Sequence, residues 1–259
     1  MRVIECSSQD QAAELVAAEI LAALRQKPGL VLGLATGSTP IGVYQRLIAA
    51  KRAGAADFSR VRTFNLDEYI GLPADHPQSY RHFMRAQLFD GIGLPRHHVH
   101  FPPTDGNDLP GACRAYEQAI KSAGGIDVQL LGIGSNGHIG FNEPTSSLAS
   151  RTRVKTLTDK TLADNARFYG KGEAQPQLAT TMGVGTILEA RRILLQSFGT
   201  KKAEAIRQAV EGPVSSFWPA SALQLHPDVT FFLDADSASL LTMREYYRRV
   251  RKNEIELGG

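Results

Sequence analysis

Residues 30–40 read LVLGLATGSTP, and this stretch decides the architecture. Its first half, up to Ala35, is the short apolar run expected of a strand buried on both faces. The run breaks at Thr36, Gly37, Ser38, Thr39 and Pro40, and a helical pattern follows. Gly37 lets the backbone turn and approach an anion, while Ser38 and Thr39 offer hydroxyls. Pro40 suits a first helical turn, where its missing N–H costs nothing. Backbone N–H groups and the positive helix end then make an anion site. The pattern is neither the GxxxxGK[ST] of a P-loop nor GxGxxG. A tight strand–helix turn with a Ser/Thr cap reads the same way, so the neighbouring segments must decide.

Outward from this point, strand and helix patterns alternate. Residues 2–6 (RVIEC) read as a strand, and residues 9–25 carry Ala12, Leu15, Val16, Ile20 and Leu24 at helical spacing after Ser8. Strands are expected at 61–66 (VRTFNL), 127–133 (DVQLLGI), 192–198 (RILLQSF) and 229–234 (VTFFLD). Helices are expected at about 201–210 and 236–252. Strands separated by helices argue for an α/β fold: a single domain over 1–259 with a mostly parallel, doubly wound, Rossmann-like sheet and helices on both faces. Residues 144–178, rich in Ser, Thr, Gly and charge, suggest a lid over a site.

Composition narrows the function classes. With 42% hydrophobic and 21% charged residues, the 259-residue chain can bury a sizeable core. The net charge of +3, from 29 basic and 26 acidic residues, gives no bulk preference for nucleic acid but suits an anionic metabolite. Cys6 and Cys113 form neither a disulfide framework nor a zinc spacing, as expected of free thiols in a reducing compartment. The start of the chain lacks a signal-peptide pattern, and no apolar stretch approaches the ~20 residues of a membrane span. A cytoplasmic protein without a membrane partner is the expectation. Monomer and homo-oligomer stay equally open.

Ligands in open α/β sheets bind beyond the carboxyl ends of strands. That rule singles out residues 36–39, Asp67 with Glu68, and residues 134–143. A carboxylate at a strand end can act as a general base if burial raises its pKa; it can equally be a cap bonded to loop amides. Residues 132–144, GIGSNGHIGFNEP, carry the most chemistry. Their glycines, Gly137 among them, let backbone amides converge on a ligand. Histidine is the side chain suited to proton exchange under physiological conditions, which marks His138, and Glu143 is placed to orient it or fix its charge. Asn136 can exchange hydrogen bonds but not protons.

The set ATGSTP, FNLDEY, GIGSNGHIGFNEP, SSLASRTRVKTLT and LQLHPD, in this order over almost the whole chain, resembles the glucosamine-6-phosphate deaminase (isomerase) family. The resemblance implies an enzyme of amino-sugar catabolism that converts glucosamine 6-phosphate and water to fructose 6-phosphate and ammonia, with no metal and no organic cofactor. It implies phosphate binding by Thr36, Gly37, Ser38 and Thr39, with Arg167 and Lys202 as further cationic contacts. His138 would open the sugar ring, held by Glu143 and Asn136, and Asp67 would move the C2 proton to C1. Some members carry Asp where this chain has Asn136, so the pH optimum is expected to depend less on a His–carboxylate pair at that position. Ser146, Arg153 and Lys155 match a second phosphate pocket used by allosteric members.

Two other signals carry less. The histidines at 97, 98 and 100 lack acidic or thiol ligands at metal spacing and read as loop surface. REYYRRVRK (244–252) reads as a solvated helix face rather than a nucleic-acid or membrane site. Among rival functions, a 6-phosphogluconolactonase-like hydrolase would need a positioned water but no ring-opening pair. A non-catalytic sugar-phosphate sensor would be expected to have lost Asp67, His138 or Glu143.

Overall fold

The computed structural model describes residues 1–165 and 175–257. Strands β1 (Arg2–Glu5), β2 (Val31–Leu34), β3 (Arg62–Asn65), β5 (Val99–His100), β6 (Val128–Leu131), β9 (Arg192–Ser197) and β10 (Val229–Leu233) form one sheet, ordered β1-β10-β9-β6-β2-β3-β5. Every neighbouring pair in it is parallel. The expected strands are therefore present, each one to three residues shorter than the run that marks it.

Alternate side chains of these strands go to opposite faces, as a period of two requires. Leu32, Leu34, Leu130, Leu194 and Phe232 pack with α1 (Gln9–Gln26) and α2 (Ile41–Arg52). Val31, Phe64, Leu131, Ile193, Leu195 and Phe231 pack with α5 (Leu109–Ser122), α7 (Val184–Leu188) and α8 (Ala203–Val210). Both faces are covered, so the sheet is doubly wound. Ser8 caps α1 by accepting the Gln11 N–H at 3.1 Å.

Three elements depart from the sequence pattern. First, β4 (Asp67–Tyr69), β7 (Arg153–Thr156) and β8 (Leu178–Thr181) build a second, antiparallel sheet ordered β4-β8-β7. Residues 144–178 are thus partly regular, holding β7 and α6 (Asp159–Asn165). Second, the helix expected at 236–252 begins only at Arg244, as α9 (Arg244–Glu256). Before it, Asp234 accepts the Ser237 N–H at 2.8 Å and the Ser237 hydroxyl donates to the Ser197 carbonyl at 2.7 Å, which competes with helical bonding. Third, α3 (Tyr80–Met84) and α4 (Asp90–Ile92) flank a π-helical turn at Arg85–Phe89.

The outlying signals find structural roles. Arg244 and Arg248 of α9 both bind Glu5, and Tyr247 donates to Glu211 at 3.3 Å. His100 stacks on Phe64 with centroids 4.5 Å apart, while His97 sits edge-on to His98. Cys6 and Cys113 are both buried free thiols. Among the described residues, no helix is long and apolar enough to cross a membrane.

Glu117 of α5 ties the chain entering β7 to α7. Its Oε1 accepts the Thr152 N–H at 2.8 Å and the Thr186 hydroxyl at 2.6 Å, and the Thr152 hydroxyl also donates to it. Its Oε2 accepts Arg151 Nη2. Burial alone would raise its pKa, but these donors hold it below the usual carboxylate value. Replacing Glu117 with Ala strands those donors and is expected to cost about 2 kcal/mol, read as a lower urea midpoint with an unchanged m-value.

Candidate active site

A cleft of about 770 Å³ opens where β2, β3, β6 and β9 end. Its size suits a small phosphorylated metabolite. Thr36, Gly37, Ser38 and Thr39 form one wall, between β2 and α2. Gly37 adopts φ +94°, which lets the loop fold over the helix start. Lys201 and Lys202, just ahead of α8, line the cleft as well. Arg167 lies outside the described residues.

Asp67 also lines the cleft, although it is only 7% exposed. Burial, and then the neighbouring Glu68 carboxylate, push its pKa up to about 8. The two acids of the FNLDEY motif have separate work. Glu68 accepts the N–H groups of Tyr69 and Tyr80 through Oε1 and of Arg81 through Oε2, each at 2.9 Å. It is the cap-like carboxylate, and it pins the start of α3. Asp67 is left as the group facing the cleft.

Pinning α3 brings Tyr80 into the cleft, a residue the motifs do not mark. Its hydroxyl donates to the Tyr69 hydroxyl at 3.2 Å, and its ring lies parallel to Phe141 at 6.0 Å. The available signal was Ser79, which caps α3 through the His82 N–H at 3.0 Å and so places Tyr80 at the first helical position. Thr161 is a second lining residue outside the sequence motifs singled out.

The loop after β6 supplies His138. A Cβ on Gly134 would stand 2.3 Å from the His138 ring, so only glycine admits the imidazole there. At Gly140, φ is +56° and a Cβ would stand 2.9 Å from Thr181 Oγ1 and 3.4 Å from Asp67 Oδ2. This second glycine lets the loop close on Asp67. His138 Nδ1 lies 3.6 Å from Glu143 Oε2, an ion-pair distance rather than a hydrogen bond. Glu143 is 3% exposed. Burial would raise its pKa, but His138, Thr161 and Asn136 outweigh that and pull it down to about 2.

Asn136 does not hold the imidazole itself. Its Nδ2 donates to Glu143 Oε2 at 2.7 Å, and its Oδ1 accepts the His138 backbone N–H at 3.3 Å. Gly137 is not among the residues that line the cleft. Its N–H donates to the Gly134 carbonyl within the loop, and its own carbonyl accepts the N–H of Ala220 from the 3-10 turn at Pro219–Leu225. Ser146, Arg153 and Lys155 also lie off the cleft wall. Ser146 is buried, and Arg153 donates to Asn142 Oδ1 at 2.9 Å from behind the loop.

A doubly wound α/β fold with an anion loop, a buried carboxylate and a His–Glu pair at its strand ends defines an acid–base enzyme for a phosphorylated substrate. Residues 6–231 match the family model described as glucosamine-6-phosphate isomerases/6-phosphogluconolactonase. The chain is 56% identical to a glucosamine-6-phosphate deaminase of Shewanella loihica, over 96% of this chain and 93% of that one. It is 53% identical to one of Hahella chejuensis, over 100% and 99%. A solved monomeric glucosamine-6-phosphate deaminase superposes with a TM-score of 0.89 at 45% identity, covering 93% of this chain and 100% of that one. The 6-phosphogluconolactonase of Leishmania guyanensis shares the fold, with a TM-score of 0.72 at 21% identity over 93% and 98%. The chain belongs to the glucosamine-6-phosphate isomerase/6-phosphogluconolactonase family.

The Asn136 contact makes a specific demand. A carboxylate in place of this amide would face Glu143 Oε2 at hydrogen-bond distance, and two carboxylates that close share a proton. Asn136→Asp is expected to add a titration to the pH–rate profile near neutrality or above. A profile that overlays wild type would show that the amide of Asn136 has no electrostatic role.

Proposed function

We propose that the protein is a glucosamine-6-phosphate deaminase, converting glucosamine 6-phosphate and water to fructose 6-phosphate and ammonia. The observation that carries this reading is the pairing, in one cleft, of a buried Asp67 with a separate His138 and Glu143 couple. Ring opening and C2 deprotonation are two proton transfers at different atoms, and they call for two acid–base groups. Relatives more than half identical over nearly the whole chain carry the same name.

In this reading the phosphate sits on residues 36–39, with Lys202 beside it. His138, oriented by Glu143, moves the proton of the C1 hydroxyl to the ring oxygen as the bond between C1 and that oxygen breaks, which leaves an aldehyde at C1. The resulting aldehyde acidifies the C2 proton, and Asp67 removes it to give an enolamine. Asp67 returns the proton at C1, leaving an imine at C2. Water adds there and ammonia departs, giving the ketose. Such chemistry on a phosphorylated sugar belongs in the cytoplasm. Lactone hydrolysis would use the same anion loop but has no need of a base at C2.

Pure protein given glucosamine 6-phosphate should release equal amounts of ammonia and fructose 6-phosphate, with 6-phosphogluconolactone hydrolysed no faster than the spontaneous rate. Absence of ammonia would defeat the reading. Asp67→Asn is expected to lower kcat by about 10³-fold.

The pH dependence follows from the Asp67 pKa of about 8. Only the anion is a base, so kcat/KM should rise with pH until about 8 and then level. Stability runs the opposite way. The native state keeps a proton on Asp67 that the unfolded chain has already lost, so the Asp67 contribution falls as pH rises towards 8. Asp67→Asn should therefore melt at a higher temperature than wild type, by a margin that widens between pH 5 and 8.

A further inference from the structure

Glu143 is held on both of its oxygens by different parts of the chain. Oε2 accepts Asn136 Nδ2 at 2.7 Å and faces His138 Nδ1 at 3.6 Å. Oε1 meets the Thr161 hydroxyl, from the first turn of α6. An ionised carboxylate only accepts hydrogen bonds, so Thr161 must be the donor. Thr161 in turn receives the Thr158 hydroxyl at 3.2 Å, and Thr158 accepts the Thr161 N–H at 3.3 Å. The Thr158 carbonyl accepts the Leu162 N–H at 2.9 Å, so Thr158 is itself fixed at the helix start. Two hydroxyls thus form a directed chain ending on Glu143.

The last torsion of a glutamate side chain is broad, and packing alone does not fix which oxygen points where. Thr161 is 4% exposed and Glu143 3%, so no solvent competes for this contact. Without the hydroxyl, Oε1 would be a buried acceptor with no donor, and the carboxylate would gain by turning.

We propose that Thr161 is a positioning residue for the deaminase reaction: its hydroxyl locks Glu143 so that Oε2 stays on the imidazole that opens the sugar ring. The inference rests on the deaminase reading above. Thr161 acts through Glu143 and His138 and leaves the Asp67 half of the reaction alone. The consequence is selective: a defect in ring opening slows turnover of the cyclic substrate but does not weaken binding of a ligand that has no ring.

The test compares Thr161→Val, which keeps the shape and removes the donor, with Thr161→Ser, which keeps the donor. Ammonia release is measured alongside the Ki of the acyclic, reduced substrate analogue 2-amino-2-deoxyglucitol 6-phosphate. Thr161→Val is expected to lose about tenfold in kcat, with KM and the acyclic Ki within about twofold of wild type, and Thr161→Ser to keep at least about half of kcat. An unchanged kcat in Thr161→Val overturns the proposal. So does a serine variant as slow as the valine one, or an acyclic Ki that rises as far as kcat falls, since both signal lost packing. If the valine variant does not fold, Thr161→Ala is read by the same criteria. A wild-type protein that releases no ammonia defeats the deaminase reading itself; an active wild type with an indifferent Thr161 defeats only this inference.

Discussion

Leu66 joins the two sheets, and the position of the chemistry follows from that junction. Its N–H donates to the Leu34 carbonyl at 3.0 Å, the last bond of the parallel sheet on that side. Its carbonyl accepts the Met182 N–H at 2.7 Å, the first bond toward the antiparallel sheet. The chain changes partner within a single residue. The next residue, Asp67, pairs with Thr181 and sits at the mouth between β2 and the loop after β6. A strand end in an open sheet faces solvent by default; here the second sheet covers it. The carboxylate is buried and yet reaches the cleft.

Covering a strand end with two adjacent acids poses an electrostatic problem, and the fold resolves it unequally. Glu68 receives three backbone N–H groups, which offset much of its desolvation and organise α3. Asp67 carries the cost of burial and the field of Glu68, so it holds its proton to about pH 8. A base with that proton affinity is strong enough to work on a carbon acid and still ionises near neutral pH. In the deaminase reading proposed above, the instability of the Asp67 anion is part of its usefulness.

Six strands of the main sheet were legible because apolar runs can be read without any knowledge of their partners, whereas the two-residue edge strand β5, within a segment read as loop surface, was not. LVLGLA, DVQLLGI and VTFFLD all fall in this class. The small sheet was not legible. β7 is RVKT and β8 is LATT, segments with little apolar signal whose strand state comes from pairing with each other and with β4. α5 does carry a helical period, with Cys113, Tyr116, Glu117 and Ile120 buried, but it opens on Pro110 and Gly111, which read as turn residues. At the site, Asp67, His138 and Glu143 were marked by chemistry at strand ends. Tyr80 and Thr161 were not, because each reaches the cleft only through a helix whose placement is a tertiary matter.

Asn136 shows the same dependence on tertiary placement. The family resemblance implies that it helps to hold His138. In space it stands behind Glu143 and gives that carboxylate a neutral donor, while steadying the His138 main chain with its other end. The negative charge available to His138 is therefore concentrated on one residue, Glu143, and not divided between two. With two donors besides the imidazole, Glu143 stays ionised far below neutral pH. The imidazole ring therefore faces a partner whose charge does not change near neutral pH.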